Sequence, residues 1–126
     1  MEPAIEQLID HVERYSAAGD RLLERLAAQR IANDEDIERL RAGATLSQST
    51  RATNSAVRSR ELTRILAEFE ASRRATRAAV VVAAFAEGMS VADIAEIFGV
   101  SRQLANRFVK EARNLGYLPG PASAPG

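Results

Sequence analysis

The segment from Val91 to Val109, VADIAEIFGVSRQLANRFV, most constrains the fold, because its pattern predicts two short helices joined by a tight turn. Ser90 and Asp93 have the spacing of a capping box, which fixes the start of the first helix. Gly99 supplies the positive φ that a helix C-terminus commonly requires, and Ser101 offers a second N-cap. Two capped helices with a three-residue connection form a helix-turn-helix.

Apolar side chains recur at helical spacing on both helices. They are Ile94, Ala95, Ile97 and Phe98 on the first, and Ala105, Phe108, Val109, Ala112 and Leu115 on the second. Two helices alone would leave one apolar face exposed, so the apolar run at residues 80–85 is predicted to be the third helix of the unit. Gly116 and Tyr117 predict a Schellman-type end to the last helix. No strand pair follows, so a winged form is not expected.

These residues resemble the bacterial helix-turn-helix superfamily, especially the compact three-helix form at the C-terminus of serine recombinases and in the promoter-reading region of sigma factors. The resemblance covers about residues 77–116 and rests on Ala95, on Gly99 and on residues 100–103, VSRQ. Two positions depart from the family pattern, Leu104 and Ala105. The resemblance implies that double-stranded DNA is the partner and that the helix at 101–115 enters its major groove.

The second helix presents a polar face opposite its apolar stripe, and this face gives the predicted DNA contacts. Base contacts are expected from Arg102, Gln103, Asn106 and Arg107, because amides bond adenine bidentately and Arg bonds guanine. Phosphate contacts are expected from Ser90, Ser101, Lys110 and Arg113. The alternative is that Arg102 and Arg107 only solvate the helix or pair with Glu111.

The net charge is zero, but the charges are unevenly distributed. Residues 1–40 hold ten acidic and five basic side chains, residues 41–80 hold three and eight, and residues 81–126 hold four of each. Two oppositely charged helices packed side by side would explain the first two blocks. The alternative is that the basic segment follows DNA phosphates.

The N-terminal segment has a heptad-like apolar pattern, and six residues on it are the predicted dimerisation residues: Ile5, Leu8, Val12, Tyr15, Leu22 and Leu26. An exposed stripe of this size must pack on another helix, either of the same chain or of a second subunit. Because one helix in one groove binds weakly, a homodimer held by residues 4–30 and 60–70 is predicted. The same helices offer a surface for a different protein partner.

The chain is predicted to be all-α, with an N-terminal helical hairpin or coiled-coil-like segment before the helix-turn-helix. Gly19 and the acidic run at 33–36 predict a helix break near residues 30–34 and a new helix from Ile37. Residues 43–59 fit either a polar linker or a weak helix, with the helix slightly favoured. The predicted division is an interaction region at 1–75, a DNA-binding domain at 76–118 and a disordered tail at 119–126.

Other chemistry finds no support in the residues. The absence of cysteine excludes disulfides and thiolate catalysis, and His11 has no second histidine with which to bind a metal. No catalytic residue, metal site or cofactor is therefore predicted. With no signal segment and no apolar run of about 20 residues, a soluble, cytoplasmic and nucleoid-associated protein is expected, without membrane contact.

Three functions remain open, of which the third, an accessory fragment of recombination machinery, rests only on the resemblance to the recombinase C-terminus. The first is a small, dimeric, sequence-specific transcriptional regulator. The second is a protein-interaction adaptor that binds, for example, a sigma factor or a regulator through its N-terminal half, with the helix-turn-helix as a docking module.

Overall fold

The computed structural model describes residues 1–118 and contains five α-helices in that part of the chain. They are α1 (Pro3–Arg41), α2 (Leu46–Ala52), α3 (Ser55–Ala86), α4 (Val91–Phe98) and α5 (Arg102–Asn114). No strand is present between residues 1 and 118, so the all-α prediction without a wing is confirmed for this part. The tail predicted at residues 119–126 lies outside the described residues.

Helix α1 is continuous over 39 residues, so the predicted break near residues 30–34 and the predicted new helix from Ile37 are wrong. Gly19 lies against the neighbouring helix, since a Cβ at this position would be 3.7 Å from Cε2 of Phe69. Ala32 is buried, and Arg30 donates to the carboxylate of Asp34 one turn later. Packing and this pair therefore stabilise helix where the local sequence favours a cap.

Residues 43–59 contain a short helix between two turns. Helix α2 begins with a capping box in which the Thr45 hydroxyl accepts from the backbone N–H of Gln48. The buried Ser49 hydroxyl donates to Asp36 of α1 at 2.7 Å. Asn54, at φ 52°, reverses the chain before α3. The structure thus has neither of the two predicted forms, a polar linker or one weak helix. It has a two-turn helix that docks on α1 through Ser49.

Helix α3 runs for 32 residues through the predicted domain boundary at 75/76, because no glycine or proline interrupts residues 55–86. The chain divides into two compact units, one formed by Ser16–Ala71 and the other by Met1–Tyr15 together with the chain from Ser72 onwards. The first residues of α1 therefore fold with the C-terminal helices, which differs from the linear division predicted from the sequence.

In the unit Ser16–Ala71, α1 and α3 form an antiparallel hairpin with a heptad-spaced seam. Gly19 lies near Phe69, and further along α1 the Nη2 of Arg25 donates to the carbonyl oxygen of Arg58 at 3.1 Å. Shielded positions recur along the whole of α1 at alternating steps of three and four, and they are called the inner seam: Ala4, Leu8, His11, Tyr15, Ala18, Leu22, Arg25, Gln29, Ala32, Asp36 and Arg39. The first four of them belong to the other unit. On α3 the same spacing places Arg58, Leu62, Ile65 and Phe69 in the seam.

In the other unit, α4 and α5 pack on the C-terminal half of α3. The core consists of Ala78, Val81, Ala84, Ile94, Ala95, Ala105, Val109 and Ala112, flanked by partly buried aromatic and aliphatic side chains. The start of α1 joins this unit through two contacts of His11. Its carbonyl accepts a hydrogen bond from the Thr76 hydroxyl at 3.1 Å, and its ring meets Tyr117 edge-on at 5.6 Å.

Candidate nucleic-acid interface

The turn between α4 and α5 has the geometry that the sequence predicts. The Ser90 hydroxyl accepts from the backbone N–H of Asp93 at 3.2 Å, and the Asp93 carboxylate accepts from the backbone N–H of Ser90 at 2.9 Å. Gly99 adopts φ 63°, a left-handed conformation that a side chain would strain, and the N–H of Val100 donates to the Ala95 carbonyl. The start and the end of α4 are therefore fixed.

The capping contacts also change the acidity of Asp93. The backbone N–H of Ser90, and then its hydroxyl, donate to the carboxylate and lower the pKa of Asp93, against a smaller opposing effect of burial. The ionised carboxylate thus stabilises the first turn of α4.

Helix α5 is fixed at both ends as well. At its start the Ser101 hydroxyl accepts from the backbone N–H of Leu104 at 3.1 Å. At its end Gly116 has φ 82°, and the N–H of Tyr117 donates to the Ala112 carbonyl at 2.9 Å, as the Schellman motif requires. Because both ends of α5 are fixed, the orientation of its outer face is defined as well.

The structure places the predicted DNA contacts on the outer face of α5. Ala105, Val109 and Ala112 are buried beneath it. The predicted polar contacts of the helix are all exposed, and none of their side chains forms a hydrogen bond or ion pair within residues 1–118: Arg102, Gln103, Asn106, Arg107, Lys110 and Arg113. These donors are therefore available to an external partner.

The two serines that are predicted to contact phosphates differ from these six side chains, because their hydroxyls already form hydrogen bonds. Ser90 and Ser101 are exposed, but both hydroxyls already accept a backbone hydrogen bond as N-caps. A hydroxyl that accepts in this way keeps its own proton for a second partner. In Ser90 this proton is directed to Asp93 Oδ2 at 3.0 Å, whereas no side-chain acceptor for Ser101 is found among residues 1–118.

A cluster that the sequence did not reveal anchors α5 to α3. Glu111 accepts hydrogen bonds from Arg74 and Arg77, each at 2.6 Å, so it is not the partner of Arg102 or Arg107. The guanidinium of Arg77 also lies 4.1 Å from the centroid of the Phe108 ring. The partners are more than 30 residues apart in sequence, and the only local signal is that Glu111 is the single acidic residue of α5.

The electrostatics of the cluster favour ionised Glu111. Its partial burial raises the pKa, but the hydrogen bonds and the positive charges of Arg74 and Arg77 outweigh this effect, so the pKa of Glu111 is lowered. Phe108 in turn meets Phe98 of α4 edge-on at 5.2 Å. Through Glu111 and Phe108 the cluster thus links α5 to both neighbouring helices, α3 and α4.

The six predicted dimerisation residues fall on two faces of α1. Leu8, Tyr15 and Leu22 are partly shielded members of the inner seam. Val12 and Leu26 are exposed one position further round the helix, and Ile5 has the same spacing with partial exposure. One ion pair across the hairpin has the opposite polarity to the predicted arrangement, since it joins the basic Arg25 of α1 to the acidic Glu61 of α3 at 3.7 Å.

Residues 1–118 contain no group of three or more His, Cys, Asp or Glu side chains that could hold a metal ion. None of the helices in this part of the chain combines the length and the apolar composition that a membrane span needs.

Comparison with known proteins identifies the C-terminal segment. A family model described as a homeodomain-like domain matches residues 71–122, so this segment is a homeodomain-like helix-turn-helix domain, within the superfamily that the sequence resembles. The domain type suggests DNA binding. No curated protein and no solved structure shows significant similarity to the chain.

Proposed function

We propose that the protein, whose residues 71–122 match a homeodomain-like domain family, is a sequence-specific double-stranded DNA-binding protein and a small transcriptional regulator. One observation carries the proposal: the six polar side chains on the outer face of α5 are exposed and lack a partner among the described residues. Binding groups of this kind, held on a helix with two fixed ends, suit the edges of bases in the major groove.

Within this face, the base contacts are assigned to Arg102, Gln103, Asn106 and Arg107. The first turn of a recognition helix reaches the base edges, and the amides of Gln103 and Asn106 fit adenine while the two guanidinium groups fit guanine. Lys110, Arg113, Ser90 and Ser101 are assigned to phosphates, which set the register without reading the sequence. The protein would act on DNA in the cytoplasm, as a binding protein and not as an enzyme, and without a cofactor.

The experiment starts from a pool of random double-stranded oligonucleotides, from which the bound sequences are selected. The variant R102A/Q103A/N106A/R107A is then compared with the unchanged protein in a gel-shift titration on a selected sequence. Each good base contact contributes about 1–3 kcal/mol, so we expect roughly a 5- to 150-fold loss of affinity for each base contact removed.

A matched control removes the same two positive charges elsewhere, in the variant R14A/R21A on an exposed face of α1 outside both heptad series. If the control loses as much affinity as the α5 variant, general attraction to phosphates explains the binding and the assigned face is wrong. Unchanged binding by the α5 variant would contradict the proposal directly. Variant K110A/R113A should weaken all sequences evenly and reduce the salt dependence by about one counterion for each charge.

A further inference from the structure

Helix α1 carries a second heptad-spaced series whose large apolar side chains remain 41–68% exposed within residues 1–118. Each member of this series directly follows a residue of the inner seam in the sequence. Outer stripe is the name used here for its exposed apolar members, Ile9, Val12, Leu23, Leu26, Ile37 and Leu40. The most exposed of them is Leu23, at 68%. Four smaller or polar residues continue the same spacing: Ser16, Gly19, Arg30 and Asn33. Alternating steps of three and four over this length fit another helix as the partner.

The order of residues along the outer stripe is self-complementary. In an antiparallel pair of α1 helices with the two-fold axis between residues 24 and 25, Ile9 lies opposite Leu40 of the second copy, and Val12 opposite Ile37. Leu23 and Leu26 face each other across the axis. Every apolar member of the stripe therefore meets an apolar residue, over about 48 Å of helix.

The polar members of the series match in this same register. Ser16 lies opposite Asn33 of the second copy. Arg30 lies opposite Gly19 and next to Asp20 of the second copy. A shift of one heptad in either direction places Leu23 opposite Gly19 or Asn33, so the apolar match is lost.

Arg30, within the same heptad series, favours the antiparallel arrangement over a parallel one, whereas the favourable and unfavourable flanking pairs are equal in number. A parallel pair in register would place Arg30 opposite Arg30, which repels. In the antiparallel pair the flanking Glu6 lies opposite Arg41. Glu13 lies opposite Asp34, an unfavourable match that the pairing of Asp34 with Arg30 in its own helix at 3.3 Å reduces.

We infer that the outer stripe of α1 is a homodimer surface, occupied by the α1 helix of a second copy in the antiparallel register that pairs Ile9 with Leu40. The inference rests on the proposed DNA-binding function only for its consequence, which is that two recognition helices bind paired half-sites. The dimer itself is measured without DNA, so its failure and the failure of the proposed function are distinguishable.

The first test measures the mass of the full chain by sedimentation velocity at micromolar concentration, together with helix content by circular dichroism. The variant L23E/L26E should be monomeric and equally helical, with the dimer dissociation constant raised at least a hundredfold, since both changes place charge at the two-fold axis. The matched control I31E/L46E adds the same charge at exposed apolar residues outside the stripe and should remain dimeric. A monomeric unchanged protein, or a dimeric L23E/L26E, would overturn the inference.

The second test determines the orientation, and the absence of native cysteine makes it unambiguous. The variant I9C/L40C should form a disulfide-linked dimer under mild oxidation, whereas I9C alone should not. Crosslinking of I9C alone would show a parallel pair and contradict the proposed register. On DNA with two half-sites, L23E/L26E should lose at least tenfold in affinity while binding to a single half-site is unchanged.

Discussion

The two compact units bury their side chains in opposite ways. The unit with α4 and α5 encloses large apolar residues such as Ile94 and Val81 and directs polar groups outward. The unit Ser16–Ala71 buries Arg25, Ser49 and Thr53, while it leaves Leu23 and other large apolar residues of α1 exposed.

This difference shows which unit is complete by itself. Burial of apolar area contributes roughly 25 cal/mol per Å², so a unit that encloses its apolar side chains obtains its stability internally. A unit that exposes them obtains the same contribution only by association. The helix-turn-helix is thus stabilised by its own core, whereas the hairpin leaves apolar area exposed that the proposed dimer would bury.

The largest expected effect comes from truncating a buried side chain in the core of the helix-turn-helix. Ile94→Ala removes a side chain that is fully buried and leaves a cavity, so we expect a loss of about 2–5 kcal/mol in the free energy of unfolding, measured by urea titration. Ile97 lies on the same helix but is about half exposed, and Ile97→Ala should change stability by at most about 0.5 kcal/mol. Equal losses in the two variants would mean that the core is not centred on Ile94.

In the hairpin, replacement of a buried polar residue by an apolar one should raise the free energy of unfolding instead of lowering it. Arg25 is only 5% exposed, and its Nε and Nη1 atoms lack a hydrogen-bond partner in the described part of the chain. Arg25→Leu places an apolar side chain in the inner seam, and it leaves no buried charge unpaired, because the Glu61 side chain is 47% exposed. Apolar replacement of buried ionic groups is neutral or stabilising by about 1–4 kcal/mol when no buried charge remains. We expect a higher free energy of unfolding, by urea titration.

Arg25→Gln provides the comparison, because it keeps one polar group in the seam without the charge. If Arg25→Leu destabilises the protein more than Arg25→Gln does, the hydrogen bonds to Gln29 and to the Arg58 carbonyl stabilise the hairpin. The contrast between the two units would then be smaller than their burial suggests.

The sequence predicts the helix-turn-helix well because its signals are local. Caps at Ser90 and Ser101 and turns at Gly99 and Gly116 depend on residues within one helical turn, so reading the chain in order finds them. The hairpin is different, since the continuity of α1 through Gly19 depends on Phe69, which is 50 residues away.

Two overlapping heptad series also explain why the predicted dimerisation residues divide between faces. Leu8, Tyr15 and Leu22 belong to the inner seam, whereas Val12 and Leu26 belong to the outer stripe. An apolar pattern alone does not separate the series, because the inner seam contains alanine and polar residues. The Glu111 cluster was missed for a related reason: its partners meet only in the folded chain.

Loss of the Glu111 cluster should have an intermediate effect. Glu111→Gln removes the negative charge that accepts from Arg74 and Arg77, and we expect the free energy of unfolding to fall by about 1–2 kcal/mol at neutral pH. The control Glu96→Gln alters an exposed carboxylate on α4 and should have little effect. Equal loss in both variants would indicate a general charge effect instead of the cluster.

The pH dependence tests the same cluster. Because the folded pKa of Glu111 is lowered, its contribution is fully present above the ordinary value of 4.5 and is lost as the pH falls through the folded pKa. The difference between the unchanged protein and Glu111→Gln should be constant between neutral pH and about pH 5, and should shrink in more acidic solution. A difference that persists in acid would show that the Glu111 charge does not stabilise the fold.

The smallest expected effect concerns the cap of α4. Ser90→Ala removes the hydroxyl that accepts from the backbone N–H of Asp93, which should lower the free energy of unfolding by about 1 kcal/mol, whereas Ser90→Thr should keep the cap. The pKa of Asp93, followed by NMR titration, should rise towards 3.8 in Ser90→Ala without reaching it. The backbone N–H of residue 90 is the larger cause of the lowered pKa and remains in the variant. A pKa that rises fully to 3.8 would mean that the hydroxyl also holds that backbone in place.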